Sequence, residues 1–154
     1  MPSLRTAVLG ALLWASVMAA SAAFDVLIQG WQTPSQIIEV AILYAVGAAI
    51  AFPFAYALTR LVAGGRHLEA RLAAALLCFT AVTIGTTALV YALDYRTYYA
   101  AWHAEALSIR WFFEFAFTIL GALVQFVVSG VRLYFPIGFV GLLAVSCWFA
   151  RHAR

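Results

Sequence analysis

The stretch Leu72–Leu93 reads LAAALLCFTAVTIGTTALVYAL. It carries no charge and no proline, and Arg71 and Asp94 stand at its two ends. A helix needs about 20 apolar residues to cross the hydrocarbon core of a bilayer, and this stretch meets that length. Such a run is hard to hide in a small water-soluble domain, which leaves much of its surface exposed. The rest of the chain agrees. Of its 154 residues 66% are hydrophobic and 10% are charged, with a mean hydropathy of +0.99. A soluble domain is about half apolar and a quarter charged. The reading is an all-α polytopic transmembrane helical bundle, with residues 1–154 as one domain.

Four further apolar segments flank this one: Thr6–Phe24, Ile37–Leu58, Arg110–Val128 and Leu133–Ala150. Together they predict five spans, or four if the first is a cleaved signal peptide. Arg5, the apolar run and Ala20-Ser21-Ala22 have the order of such a peptide. The length of the first segment favours a retained span. Near the other end, Ser129, Gly130 and Arg132 interrupt the apolar run and Pro136 follows. As one helix, Trp111–Ala150 would measure roughly 60 Å, twice the hydrocarbon thickness. The positive-inside rule alone would prefer Arg151 and Arg154 inside and an even number of spans, but by length a tight turn between two short spans is expected, with both arginines on the outer side. In the second segment Pro53 is expected to kink the helix. Ala41, Ala45, Gly47, Ala48, Ala49 and Ala51 are expected to admit a close neighbour.

The basic residues set the orientation. The net charge is +3, and all nine basic residues are arginines. They stand singly at the ends of apolar segments, which points to placement in a bilayer and away from nucleic acid. Arg60, Arg66 and Arg71 surround Gly64-Gly65 and form the densest basic loop. This loop and the N-terminus are expected in the cytoplasm, in the inner (plasma) membrane of a bacterium. Gly30, Pro34 and Ser35 read as an outer turn, with Trp31 at headgroup depth. After the third span, Tyr95, Tyr98, Tyr99, Trp102 and Ala106 recur at helical spacing. They predict an amphipathic segment lying in the outer interface.

Polar residues inside spans mark the candidate site. Thr80, Thr83, Thr87, Tyr91 and Asp94 fall on one face of the third segment. Glu114, Thr118, Gly121, Gln125, Ser129 and Arg132 do the same in the fourth. An unsatisfied polar group in lipid costs several kcal/mol, so the two rows are expected to face each other. Gln125 is expected within reach of Thr83 or Thr87. Glu114 is a functional candidate because ionisable groups inside spans are costly. Asp94, Arg96, His103 and Arg110 gather with it on the outer side, where charges of both signs can pair. The candidate binding set is thus Thr83, Thr87, Tyr91, Asp94, Arg96, His103, Arg110, Glu114, Thr118 and Gln125. A bland role as glue between helices explains the same rows.

No metal or cofactor is expected, and no catalytic residue is assigned. His67, His103 and His152 lie in loops or the tail, away from where a haem between spans would need a ligand. Cys78 and Cys147 are isolated in apolar segments with no metal spacing. H-E-x-x-H, G-x-S-x-G and P-loop motifs are absent. The expected function is a non-enzymatic accessory or scaffold subunit, or a homo-oligomer. The alternatives are a small transporter or channel subunit using the polar seam, and an intramembrane enzyme or lipid-binding protein with an outer-face site. The expected partners are the lipid bilayer and either a membrane-protein partner or a second copy.

Overall fold

A computed structural model describes residues 4–30 and 33–152. The expectations for Trp31 and Arg154 fall outside the described residues. The chain forms five helices: α1 (Leu4–Gln29), α2 (Pro34–Ala63), α3 (Leu68–Tyr99), α4 (Ile109–Gln125) and α5 (Ile137–His152). Each falls on one of the five apolar segments. Four helical stretches are long and apolar enough to cross a membrane: Leu4–Gln29, Pro34–Ala63, Leu68–Trp102 and Ile109–Tyr134. The fifth helix has 16 residues. The protein is an all-α transmembrane bundle.

Local chemistry sets the ends of these helices. α1 stops where Gly30 takes φ +70°, a left-handed conformation that costs glycine nothing. α2 starts at Pro34, which suits the first helical position, and the Gln36 side chain accepts from the Thr33 N–H at 3.0 Å. α2 then continues through Pro53 without a break. The link to α3 turns at Gly65, also at φ +70°. α4 begins after Ser108, whose hydroxyl accepts from the Trp111 N–H at 3.1 Å.

The core is small-to-large packing between α1, α2, α3 and α5. Ala48, Ala51, Ala55, Ala75 and Ala22 are fully buried and let the backbones close in on the rings of Phe79, Phe52 and Phe149. Gly47 does the same for α3, because its bare Cα sits against Thr87. Trp14 meets Phe79 edge-on at 5.7 Å, and Phe52 meets the other side of the same ring.

The last third of the chain departs from expectation. α4 does not end in a reversing turn. After Gln125 the helix widens into a π turn over Phe126–Gly130, tightens to a 3-10 turn over Val131–Tyr134, and passes Pro136 into α5. α4 and α5 run in the same direction. Tyr91 and Tyr44 contact Phe126, Leu133 is bonded to Ser21, Gly138 sits against Met18 and Ser21, and Gly141 against Val17. Phe149 then reaches Tyr56, one turn from Arg60. The pair therefore passes once along the bundle, beside α1 and α3. His152 therefore lies toward the end of the bundle where α1 and α3 start and α2 finishes. Arg151, expected opposite Arg60, lies at the same end of the bundle.

The physical reason is depth. α2 and α3 measure about 45–48 Å at 1.5 Å per residue, whereas α4 and α5, with 17 and 16 residues, measure about 24–26 Å each, so it takes the two in line to cover the height of the bundle.

A candidate cleft at the acidic end of the bundle

The break in the fourth path shapes the candidate site. A straight helix satisfies its own backbone, but the π and 3-10 turns free carbonyls that need other donors. Two side chains supply them. The Tyr44 hydroxyl donates to the Gly130 carbonyl. The Ser21 hydroxyl donates to the Leu133 carbonyl at 2.9 Å and accepts from the Gly138 N–H at 3.0 Å. Ser21 is fully buried, so this one hydroxyl bridges both sides of the break. Gly130 is needed here, because a Cβ would come within 2.7 Å of the Phe126 ring.

Above the break lies a cleft of about 360 Å³ between α1, α2, Tyr91 of α3 and the π turn. Its floor is Val26, Val40, Leu43, Phe126 and Leu133. Its rim is polar: Gln29, Gln36, Tyr44, Tyr91, Gln125, Ser129 and Arg132. The Arg132 Nε lies 3.9 Å from Asp25 Oδ2, and Gln29 donates to the same oxygen at 2.6 Å. Below the break is a second cleft of about 220 Å³, almost wholly apolar, bounded by Trp14, Phe79, Phe139 and Leu142.

The candidate residues divide into three groups. Tyr91 and Gln125 both line the cleft above the break. Glu114, Thr118, His103, Arg110 and Arg96 form a cluster at the tip of the α3–α4 hairpin. There Glu114 accepts from the Ala104 N–H at 2.7 Å and from Arg110 Nε at 2.8 Å. The Thr118 hydroxyl donates to the Glu114 carbonyl at 2.6 Å, so His103 Nε2–H is the donor in its 3.2 Å contact with Thr118. The Arg96 guanidinium lies 4.7 Å over the Phe115 ring. This cluster staples the 103–108 loop onto α4. Asp94 is exposed and bonds to neither group.

Thr83 and Thr87 belong elsewhere. The Thr83 hydroxyl accepts from the Trp14 indole N–H at 3.0 Å, and Thr87 packs on Gly47. The threonine row therefore faces α1 and α2, and the expected seam between α3 and α4 does not form. The side of α4 that meets α3 is Phe115, Ala122 and Phe126. Its polar row runs down a flank. The reason is local satisfaction. The hydroxyls of Thr87, Thr118 and Ser129 each donate to a carbonyl one turn back, at 2.6–2.8 Å. A hydroxyl bonded in this way needs no partner helix. Gln125 has no such option, and it is exposed beside the cleft, with no bond to its side chain among the described residues.

The aromatic cluster is present in another setting. Tyr95, Tyr98, Tyr99 and Trp102 touch one another in a chain of rings 4.7–5.9 Å apart. They ride on the projecting end of α3 and the turn after it, not on a separate segment.

Sequence reasoning missed Trp14, Ser21, Tyr44, Gln29 and Gln36. A signal existed for Trp14 and Tyr44, since a buried indole or phenol needs a partner for its polar atom. The distant pairing of Ser21 with Leu133 and Gly138 left no local pattern. Among the described residues no three His, Cys, Asp or Glu side chains converge as a metal site. No family model, curated protein or solved structure matches this chain.

Proposed function

We propose that the protein is a non-enzymatic accessory or scaffold subunit of a bacterial plasma membrane, joined through α4 to a partner helix or to a second copy. The observation that carries this reading is the isolation of α4. It packs on the end of α3 alone, while α1, α2, α3 and α5 each have at least two helical neighbours. On the opposite face Phe113, Phe117, Leu120, Val124 and Val127 recur at spacings of four and three, each more than half exposed. Between transmembrane helices association comes from close packing, and a helix with one neighbour has most of that contact still to make. The 4-3-4-3 spacing suits a left-handed crossing with another helix.

The charge distribution supports a cytoplasmic placement for one end. Arg5, Arg60, Arg66, Arg71 and Arg151 gather there with Glu69 as the single acid. Arg96, Arg110 and Arg132 share the other end with Asp25, Glu39, Asp94, Glu105 and Glu114. The rule that positive charge stays inside assigns the first end, and so both termini, to the cytoplasm. The transporter alternative has less support, because Thr83 and Thr87 are taken up by α1 and α2 and, among the described residues, their row does not join the polar row of α4.

The test is cross-linking in native membranes. Leu120→Cys, in a background lacking Cys78 and Cys147, is expected to give a disulfide-linked or bismaleimide-linked species larger than the monomer. Leu77→Cys, exposed on α3, is the control and is expected to stay monomeric. Equal monomer yields for both would rule out α4 as the contact.

A further inference from the structure

We infer that the cleft above the break, the outer one in the orientation proposed above, is a binding site for the phosphate headgroup of a membrane amphiphile. The inference concerns the flank of α4 that faces α1 and α2, so it stands apart from the partner proposed for its opposite face. Three observations converge. First, the rim is rich in hydrogen-bond donors that no described group accepts from. Among the described residues the Arg132 guanidinium makes no hydrogen bond, and its one ion-pair neighbour is Asp25 at 3.9 Å. The Tyr91 hydroxyl and the Gln125 amide have no partner among the described residues, and Gln36 spends its oxygen on Thr33 and leaves its NH2 free. A surplus of donors around a guanidinium fits a group that only accepts, and phosphate presents several such oxygens.

Second, the floor is apolar. Phe126 and Leu43 line the same cleft beneath those donors. A free inorganic anion has no use for that surface, whereas the acyl region of an amphiphile does. Third, the cleft sits at the right depth. It lies at the end of the bundle rich in acids and aromatic rings, level with Asp25, where the helices leave the hydrocarbon layer. Lipid phosphates lie in the headgroup region just beyond that boundary. Asp25 opposes the anion and is the built-in competitor. Gln29 already holds one of its oxygens, which leaves Arg132 loosely paired and able to turn to a ligand.

The experiment is a native mass spectrometry titration of the full-length protein in mild detergent. The probes are phosphatidylglycerol and a diacylglycerol with the same acyl chains, so the two differ by the phosphate headgroup. The phospholipid is expected to bind at least about tenfold more tightly. Arg132→Gln is expected to erase that preference. Arg132 is exposed, so this change leaves the fold intact. Asp25→Asn is expected to strengthen it, because the amide still accepts from Gln29 and no longer repels phosphate. Opposite signs for the two variants are not expected of a merely structural pair. Arg60→Gln at the other end is expected to change nothing. Millimolar glycerol 3-phosphate is expected not to displace the lipid. Displacement would make a soluble phosphate ester the ligand and overturn the amphiphile. Equal binding of both lipids, or an unchanged preference in Arg132→Gln, would overturn the site.

Discussion

At Gly47 the backbone of α2 packs directly on that of α3. A Cβ there would lie 2.7 Å from the Thr87 Cα, and backbone cannot give way as a side-chain tip can. Gly47→Val is therefore expected to destabilise the bundle by about 1–3 kcal/mol or more, read as a lower melting temperature in detergent. Trp14→Phe tests a different kind of contact. It keeps the ring against Phe79 and removes only the indole N–H that bonds Thr83. The expected loss is about 0.6–2 kcal/mol, and Thr83→Val in the same protein should add little to it, since both changes break one bond. Gly47 was legible in the sequence as one of several small residues on α2. Which of them takes the closest approach was not, because that depends on the rotation of α3. Gln125 was legible as a costly polar residue. Its destination was not, since nothing local says on which flank of α4 a neighbour will stand.

Among the elements, α1, α2 and α3 were readable nearly to their ends, because uninterrupted apolar runs between arginines and turn residues admit few alternatives. The segment Ser129–Pro136 was read as a reversal because Gly, Ser and Pro usually mark turns. In this fold they mark a change of helix pitch instead. The freed carbonyls of Gly130 and Leu133 are satisfied by Tyr44 and Ser21, from helices 86 and 112 residues away in sequence. No window along the chain contains that information. Ser21→Ala follows as a test of the break. It removes a donor to Leu133 and an acceptor for Gly138 together, inside a fully buried site. The expected cost is about 1–3 kcal/mol, with faster hydrogen exchange at Gly138 than at core amides of α2. At the hairpin tip, Glu114→Gln weakens the staple from α4 to Ala104. Proteolysis within 103–108 is expected to quicken while the melting of the bundle stays the same.

At the scale of the whole molecule, the direction of α5 decides where the chain ends. Cysteines introduced at Gly65, Ala101 and His152, with Cys78 and Cys147 replaced by alanine, can be probed on whole cells with an impermeant thiol reagent. Labelling is expected at Ala101→Cys alone. Labelling at His152→Cys but not at Gly65→Cys would mean that α5 runs opposite to α4. Composition made the bundle legible, and arginine placement made one end of it legible. The parity of the crossings was hidden in the break, where side chains from three helices meet. That parity has a practical side. Because Leu4 and His152 lie at one end of the bundle, two copies of residues 4–152 joined tail to head by a short soluble linker would both insert the same way up. A fusion of that kind would need no extra crossing segment.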